Sequence, residues 1–538
     1  MVNMMKKFLL FLASLAVCSL AFGAKVLPPK VQGRVTDTVG KPIPGVQVSD
    51  GYHVVLTDAE GNYSFPRIPE AYYVYISIPS AYEIPLRQGQ PVFYKKLEDR
   101  PAYNFVLNPL KNGPETACNL FLVADPQCQW IWHVRRLREE GIADIRACAR
   151  KAKGPDYAIT LGDIAYSEGF RNTNYLLPVI REEFSAEKTG MPVFQTIGNH
   201  DFEYALTAVE EASPTISLRR NRYFEDLFGP ANYSFNRGDV HIVSMIDVCF
   251  EGFGAPGKYH GDFSDAQVKW LEQDLANVPE GKLVILCVHI PFEDGVKKSP
   301  NMQRVLDLLG TRTPHARIVS GHTHTIKHLH YGNGVSEFVA GAMSGCWWWS
   351  KNCADGSPNG YSVWSIRGNE VVSDLYKGQN FKEDYQMRIY RGDAEFGGEY
   401  EKFRLAHGHG TLLVNVWNWD EGWRSEVYEN GKLCGQLEKL PTTSEFEAPY
   451  DGSKDWWAIG YNVGVVGRGH SQGSTRNNYC SKNYHMFKYV LKDPDAKVKV
   501  VVYDRSGRKF TCSKITTAAD YEGFAKRPQY PVLPAWEE

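Results

Sequence analysis

The sequence has almost no excess of either charge sign, because 60 lysines and arginines face 62 aspartates and glutamates and leave a formal net charge of −2. That balance excludes a global electrostatic attraction to anionic lipid, and binding to duplex nucleic acid is not expected. Internal repeats and long low-complexity tracts are also missing, which argues against a repeat architecture. A chain of 538 residues is too long for one hydrophobic core, so several domains are predicted.

Long apolar runs are missing after the N-terminal segment. Two lysines precede the apolar stretch 8–22 and small residues follow it, which is the pattern of a cleaved export signal over residues 1–24. This stretch is short for a permanent membrane span. The mature chain is therefore predicted to lack a transmembrane segment and to be exported to the periplasm or the cell surface. Cys18 leaves lipoprotein anchoring open as an alternative, although bulky Val17 precedes it where a small residue is expected.

Cysteine is too sparse to demand a disulfide framework. The chain has 11 cysteines, and removal of Cys18 with the signal leaves an even number. Export permits disulfides without requiring them. Cys346 and Cys353 flank a short loop and could pair, whereas Cys287 stands in an apolar run and is predicted to be a buried thiol.

The remaining sequence divides into three regions. Residues 25–110 carry strand-like alternation with turn signals between the runs, which predicts a small all-β domain. This region resembles the transthyretin-like sandwich of carboxypeptidase regulatory domains. In residues 115–378, β-like apolar runs alternate with helix-like stretches, as in a layered α/β domain. Residues 383–538 return to short β-like runs separated by turns, and a β-rich accessory domain is predicted there.

Five polar clusters distinguish the central region, and each lies just past an apolar run. They contain Asp125 and Gln127, then Asp163, then Asn199 and His200, then His289, and finally His322 and His324. In layered α/β sheets, functional groups gather just beyond the strand ends. Converging carboxylate, amide and imidazole groups suit a pair of Mn, Zn or Fe ions. Because two adjacent metals activate water and hold an in-line phosphoryl displacement, the sequence predicts metal-dependent hydrolysis of a phosphate ester.

The ordered motifs Gly-Asp, Gly-Asn-His-Asp and Gly-His-Thr-His resemble those of the calcineurin-like metallophosphoesterases. The resemblance implies an α/β/β/α sandwich for the central domain, flanked by two all-β domains, and a centre of two divalent or di/trivalent ions. It implies that the first metal is bound by Asp125 and His324, the second by Asn199, His289 and His322, and that Asp163 bridges both.

The resemblance also implies roles for groups that do not bind metal. His200 acts as a general acid toward the leaving oxygen, while a hydroxide between the metals attacks phosphorus. Asp201 is expected to support His200 or a nearby backbone amide. Asp247 is interpreted as a buried polar residue of its strand, outside the site.

Two positions depart from the common family pattern. Gln127 stands where relatives usually have histidine, and it offers only a neutral carbonyl oxygen. Tyr166 follows Asp163 by three residues, as does the iron-binding tyrosine of purple acid phosphatases. One hypothesis is that Tyr166 completes the shell of the first metal. In the alternative, Tyr166 lines the substrate pocket and Gln127 binds metal weakly or not at all.

Aromatic residues suggest where a substrate could stack. Three consecutive tryptophans cannot all be buried on one face of a strand, so Trp347 and Trp348, together with Tyr361, are candidates for contact with a sugar or base ring. Packing between domains is the alternative. The predicted substrate is a phosphomonoester or phosphodiester, either a small molecule or linked to a glycan or lipid. The rival interpretation is a glycan-binding or scaffolding surface protein with a degenerate site. The oligomeric state is left open.

Overall fold

The computed structural model describes most of the chain after the predicted signal. The described ranges are 27–149, 154–167, 173–203, 221–250, 258–295, 299–312, 314–394, 407–441, 454–458, 480–481, 483–517 and 519–520. The predicted export signal, residues 1–24, lies outside them. Within these ranges, no helix combines the length and the apolar character needed to cross a membrane.

The N-terminal region is rich in short strands. They are β1 (Lys30–Asp37), β2 (Gln47–Ser49), β3 (Val54–Leu56), β4 (Asn62–Pro66), β5 (Tyr73–Ile76), β6 (Leu86–Arg87), β7 (Gln90–Pro91), β8 (Tyr94–Lys96) and β9 (Phe105–Leu107). One sheet has the order β4-β1-β9 and another β3-β2-β5-β8, and β6 pairs with β7. Alternation along β1 and β4 buries Val31, Val35, Tyr63 and Phe65, so the period-two pattern in the sequence marks the inward face.

The central region contains two mixed sheets. Its strands are β10 (Ala117–Val123), β11 (Asp156–Thr160), β12 (Val193–Phe194), β13 (Tyr233–Arg237), β14 (Val240–Ser244), β15 (Val248–Phe250), β16 (Tyr259–Gly261), β17 (Leu283–Cys287), β18 (Ala316–Ser320), β19 (Lys327–His330), β20 (Ser336–Val339), β21 (Gly360–Arg367) and β22 (Glu370–Gly378). One sheet has the order β12-β11-β10-β21-β22 and the other β13-β14-β17-β18-β20-β19. Strands β10 to β12 are mutually parallel, as are β14, β17, β18 and β20.

Helices cover the outer faces of these two sheets. They are α1 (Ile131–Arg136), which continues as a π-helical segment (Leu137–Ile142), α2 (Ala143–Ala149), α3 (Leu177–Glu183), α4 (Ala186–Thr189), α5 (Arg222–Phe228), α6 (Asp265–Ala276), α7 (Phe292–Gly295) and α8 (Pro300–Gly310). Leu120 of β10 shares a buried cluster with Ile285 of the other sheet, whereas the next residue, Phe121, packs with the helices. On the second sheet, Leu286 packs against Trp270 of α6. The central region therefore has the predicted helix–sheet–sheet–helix layering.

A second strand-rich region follows the central one. Its strands are β23 (Met387–Gly392), β24 (Gly408–Val416), β25 (Arg424–Glu429), β26 (Lys432–Gly435), β27 (Glu438–Lys439), β28 (Met486–Val490), β29 (Val498–Tyr503) and β30 (Lys509–Cys512). They form sheets with the orders β23-β24-β28-β27 and β26-β25-β29-β30. Buried residues of both sheets, including Val414 and Val500, belong to one apolar cluster.

The N-terminal region is joined to the central one by specific contacts. Ile78 forms a parallel bridge with Phe235 of β13, and the indole N–H of Trp270 donates to the Ser49 hydroxyl at 3.0 Å. One apolar cluster contains residues of both regions, such as Val48 and Ile285. Burial of apolar surface across this junction therefore favours one fixed arrangement.

No disulfide links the cysteines of the described ranges. The pairing considered for Cys346 and Cys353 is therefore absent from this structure, in which both residues are buried. Cys287, at the end of β17, is buried in the apolar layer between the sheets, which confirms the prediction of a buried thiol.

Candidate metal centre

The five predicted polar clusters meet at one edge of the paired sheets. Asp125 follows β10, Asp163 follows β11, Asn199 follows β12, His289 follows β17 and His322 follows β18. Strands β10, β11 and β12 are parallel in one sheet, and β17 and β18 are parallel in the other. Within each sheet, their carboxyl ends therefore lie on the same side. The two sheets face each other, so loops from both converge there.

The loops that carry these side chains have unusual backbone conformations. Positive φ angles occur at Asp125 (51°), Gln127 (38°), Asp163 (53°), His322 (69°) and His324 (53°). Non-glycine residues seldom adopt this left-handed region, and strained positions of this kind cluster at functional sites. Gly162 also has positive φ, and a Cβ there would lie 2.6 Å from His289 Nδ1. Close approach of the loops therefore needs glycine at this position.

Four lone-pair atoms surround one point on the side of the second sheet. His289 Nδ1 lies 2.8 Å from the Leu161 carbonyl, which can only accept, so Nδ1 carries the proton and donates it. His289 Nε2 then faces Asn199 Oδ1 at 2.9 Å, Asp163 Oδ2 at 3.2 Å and His322 Nδ1 at 3.2 Å. Each of these can act as an acceptor or a metal ligand. Such a convergence of lone pairs requires a positive charge among them.

The pKa values of two histidines also indicate that these lone pairs need a positive charge among them. Burial by itself lowers the pKa of His289, but the Asp163 carboxylate outweighs burial and raises it to about 10. Burial, reinforced by His289, lowers the pKa of His322 to about 3. Without a cation, one proton at His289 would therefore neutralise the cluster, while His322 would keep a lone pair free for coordination.

A second pair of ligand atoms lies toward the first sheet. Asp125 Oδ2 accepts from the His322 backbone N–H at 2.9 Å. Asp125 Oδ1 is buried without a hydrogen bond and lies 3.4 Å from His324 Nε2. His324 Nδ1 donates to the Gly345 carbonyl at 3.1 Å, which leaves a lone pair on Nε2 when the ring is neutral. The geometry is that of two ligands facing a cation position.

Gln127, two residues past Asp125, contacts Asp163 of the other group. Gln127 Nε2 donates to Asp163 Oδ2 at 2.8 Å, while Gln127 Oε1 and Asn199 Nδ2 are buried without hydrogen bonds. Asp163, His289 and His322 offer ligand atoms that all lie within 4.8 Å of one another. The buried oxygens without hydrogen bonds, Asp125 Oδ1 and Gln127 Oε1, and the chemistry of the donors therefore fit metal ions, and bridging of two ions by Asp163 stays a prediction. Metal binding by Gln127 stays a prediction.

His200 lies beside this cluster with one ring nitrogen directed at it. Its Nδ1 donates to the Ser167 carbonyl at 2.7 Å, and its Nε2 lies 4.0 Å from Asp163 Oδ2. The ring of Tyr166 stacks on the imidazole with centroids 4.1 Å apart and planes at 26°. The structure thus places Tyr166 as a support for His200, and coordination of a metal by its hydroxyl stays a prediction.

Two buried carboxylates position the loops without joining the ligand set. Asp247, at the end of β14, accepts from the backbone N–H of His289 at 3.1 Å and of Ile290 at 2.9 Å. Asp201 accepts from backbone amides, including that of Gly198 at 2.9 Å. Support of backbone amides by Asp201 was expected, but the role of Asp247 in holding His289 was not. Its position just past a strand end, like that of the ligands, was the available signal.

The predicted aromatic substrate contacts separate into two kinds. The ring of Trp347 is half-buried and lies 5.1 Å from that of His324. Trp348 is fully buried, and its indole N–H donates to a backbone carbonyl at 2.6 Å. Tyr361 is also buried, and its hydroxyl donates to Asp144 at 2.7 Å. The substrate roles predicted for Trp348 and Tyr361 are therefore corrected to packing roles, because both side chains are buried and their polar atoms are bonded within the protein.

Three family descriptions match successive parts of the chain. They are "N terminal of Calcineurin-like phosphoesterase" over residues 29–110, "Calcineurin-like phosphoesterase" over 120–325 and "C terminal of Calcineurin-like phosphoesterase" over 337–510. The chain belongs to the calcineurin-like phosphoesterase family. Calcineurin-like phosphoesterases use dinuclear metal centres, and the converging side chains of this member lie within the catalytic match.

Individual relatives are more distant. The chain is 27% identical over 175 residues to the 3′,5′-cyclic adenosine monophosphate phosphodiesterase CpdA of Escherichia coli K12, which covers 31% of this chain and 54% of that protein. It thus spans about half the length of the curated relatives it matches. Solved structures with similarity include a dimetal phosphatase from Danio rerio (14% identity, 49% of this chain and 96% of that one, TM-score 0.32). A purple acid phosphatase from yellow lupin is another (12% identity, 69% and 66%, TM-score 0.30).

Proposed function

We propose that this protein is a metal-dependent phosphoester hydrolase that holds two ions, of Mn, Zn or Fe. The observation that carries the proposal is the set of lone pairs around His289 Nε2, at 2.9 to 3.2 Å, with its Nδ1 proton committed elsewhere. Asp125 and His324 would hold one ion, and Asn199, His289 and His322 the other. When bound, the ions supply Lewis-acid activation of water and neutralise phosphoryl charge.

His200 is the general acid in this proposal. The Ser167 carbonyl fixes the Nδ1 proton, and the Tyr166 ring limits rotation of the imidazole. At 4.0 Å, the separation between His200 Nε2 and Asp163 Oδ2 is too long for a hydrogen bond. A proton on Nε2 is therefore not donated to this carboxylate, and in this proposal it passes to a leaving oxygen that binds beside the ring.

The substrate is a phosphomonoester or phosphodiester, as a small molecule or linked to a glycan or lipid. The Trp347 ring lies beside that of His324, and the Tyr166 ring lies beside that of His200. Aromatic faces contribute apolar contact to a ring-bearing group. This arrangement supports a substrate whose alcohol component carries a ring, and the similarity to a cyclic-nucleotide phosphodiesterase agrees with that class.

Export and accessory domains complete the proposal. The charged and apolar character of residues 1–24 supports export to the periplasm or cell surface. The strand-rich regions on both sides of the central domain, with their own family matches, support accessory β domains that accompany the catalytic one.

The direct test compares hydrolysis of p-nitrophenyl phosphate and bis-p-nitrophenyl phosphate with added Mn or Zn. His200→Ala should lower kcat by about 10²- to 10⁴-fold, which is the usual contribution of a positioned acid, while bound metal is retained. His409→Ala is the matched control, because His409 is exposed in the second strand-rich region. The ratio of the two substrates separates monoesterase from diesterase.

The rival glycan-binding or scaffolding function predicts a different result. Wild type and His200→Ala would then show the same residual turnover with every metal tested. Asp163→Asn tests whether the ligand cluster is the active centre, because in that event the substitution should abolish both metal binding and turnover. Unchanged turnover in Asp163→Asn would overturn the proposal.

A further inference from the structure

The second strand-rich region binds one loop of the central domain, residues 344–359, which lies between β20 and β21. Three consecutive backbone carbonyls of this loop accept hydrogen bonds from that region. The pairs are Ser481 with Ala354 at 3.0 Å, Asn415 and Asn483 with Asp355 at 2.9 and 2.6 Å, and Arg388 with Gly356 at 2.8 Å. Asp355, Asn415 and Asn483 are buried, and hydrogen bonds away from water are electrostatically stronger.

Asp355 lies at the centre of this contact, and its carboxylate is fully buried. Its Oδ1 accepts from the backbone N–H and the hydroxyl of Ser357, at 2.9 and 2.6 Å. Its Oδ2 accepts from the Ile326 N–H at 2.7 Å and faces His485 Nε2 at 3.2 Å. One carboxylate oxygen therefore connects a histidine of the second strand-rich region to the backbone two residues past the proposed ligand His324.

The hydrogen bonds around His485 indicate that its ring carries two protons. Asn415 Nδ2 donates to the Asp355 carbonyl at 2.9 Å and to Asp455 Oδ2 at 2.8 Å, which fixes the amide with Oδ1 toward His485. His485 Nδ1 lies 2.6 Å from that oxygen and is therefore the donor. Burial by itself raises the pKa of Asp355, but the hydrogen bond and charge of His485 outweigh burial and hold the pKa below its ordinary value. An ionised Asp355 can only accept, so Nε2 donates as well and the two side chains form a buried ion pair.

The backbone around His324 needs support of this kind. His322 and His324 have positive φ, at 69° and 53°, and such conformations persist only where surrounding contacts hold them. The Gly345 carbonyl, at the start of the loop 344–359, accepts from His324 Nδ1 at 3.1 Å and so leaves the lone pair on Nε2. The contacts of Asp355 therefore hold both the backbone that follows His324 and the loop that orients its ring.

We propose that the second strand-rich region positions the metal ligand His324 through the buried pair of His485 and Asp355. This inference rests on the proposed function and deepens it, because it makes the metal centre depend on two regions of the chain. His485 lies outside the ligand set, so it is a positioning residue. Groups that orient a metal-binding histidine contribute about 10- to 100-fold to metal affinity, and breaking the pair should cost about that factor for the ion that Asp125 and His324 hold.

The experiment measures ion binding by the full chain, which is freed of metal by chelation and titrated with Mn or Zn in a calorimeter. Wild type should bind two ions. His485→Asn keeps an N–H for Asn415 but removes the N–H that faces Asp355, so it should weaken one ion about 10- to 100-fold and leave the other unchanged. His485→Gln has an amide N–H that can reach Asp355, and it should bind both ions nearly as wild type does.

Three control variants separate positioning from a general loss of stability. Val500→Ala creates a cavity in the core of the second strand-rich region and should lower the Tm without changing either ion. His330→Asn breaks a bond of the same kind between the two regions, from His330 Nε2 to Asp420 at 2.8 Å, and both ions should again bind normally. In a chain that already carries His324→Ala, His485→Asn should cause no further loss of metal affinity, because the ligand that it positions is gone.

The possible outcomes distinguish this inference from the proposed function. Equal ion affinities in wild type and His485→Asn, or an equal loss in Val500→Ala, would overturn the inference alone. If His485→Asn does not fold, Asn483→Ala decides, because it removes a donor to the Asp355 carbonyl and should weaken the same ion. A wild-type chain that binds two ions but hydrolyses no phosphoester would overturn only the proposed function, and one that binds no ion would overturn both.

Discussion

Gly198→Ala tests whether close approach of two loops builds the metal centre. Gly198 precedes Asn199 and has an extended backbone, with φ −111° and ψ 177°, which alanine adopts without strain. An added Cβ would, however, lie 2.3 Å from Asp163 N and 2.3 Å from Asp163 Oδ1, whereas ordinary contact begins at 3.4 Å. The methyl group would therefore have to displace the loop of Asp163, and no flexible side-chain end can absorb the overlap at the backbone nitrogen.

The magnitude follows from the size of that overlap. The difference between 3.4 and 2.3 Å requires a movement of about 1 Å, and misplacement by that amount can lower a reaction rate by about 10²-fold. Overpacking of a buried site also costs about 1 to 3 kcal/mol of stability. We therefore expect Gly198→Ala to remain folded with a lower Tm, to bind less metal and to turn over p-nitrophenyl phosphate about 10²-fold more slowly.

Gly332→Ala is the matched control. A Cβ at Gly332 meets nothing within 4 Å, and this glycine has no positive φ, so the same substitution there should leave metal content, kcat and Tm unchanged. Metal content is measured by atomic spectrometry on protein purified without added metal. If Gly198→Ala equals Gly332→Ala in metal content and kcat, the approach of the two loops is not what builds the centre.

Three further predictions concern the ions, Tyr166 and a buried carboxyl. Chelation should lower the Tm of wild type but not of Asp163→Asn, because an ion at 100 times its Kd adds about 2.7 kcal/mol to the stability of the state that binds it; equal shifts would contradict this. Tyr166→Phe should keep its metal and most of its kcat, because the stack on His200 survives, whereas loss of metal or of a visible absorption band would identify the hydroxyl as a ligand. Burial raises the pKa of Glu337 from its ordinary 4.5 to about 7, so the folded state holds a proton that the unfolded chain releases, and stability falls as pH rises through this window. Glu337→Gln should reduce that slope in Tm against pH, and an unchanged slope would show that another group is responsible.

The polar residues just past the strand ends were the part of this molecule that could be predicted from the sequence. The clusters around Asp125 and His289 are short, but each follows an apolar run, and parallel strands must bring such positions to one edge. Tyr361 was misjudged because the aromatic character of a residue near the tryptophans does not reveal which neighbour covers its side chain. Asp247 was set aside because a single carboxylate at a strand end has no pattern of its own. Its bond to the His289 amide depends on the register between two strands that the sequence does not show.

The junction between regions was beyond prediction for a similar reason. Turn signals and alternation are local, so they predict a strand-rich N-terminal region without indicating where it docks. The contact between Ser49 and Trp270 joins residues far apart in the chain, and so does the contact between Asp355 and His485. Long-range contacts of this kind carry no periodic signal.

The metal centre is a place where the fold is unfavourable without its ions. Positive φ at non-glycine residues such as Asp163 and His322 costs about 1 to 3 kcal/mol each, and buried polar atoms without partners, such as Asp125 Oδ1 and Gln127 Oε1, cost a similar amount each. Together these approach the net stability of a whole domain, about 5 to 15 kcal/mol, and the buried strands of both sheets must offset them. Within a strand, positive φ would also break the ladder of hydrogen bonds. A strand end avoids that loss, which explains why the ligands follow the strands and why metal affinity and folding stability are linked in this protein.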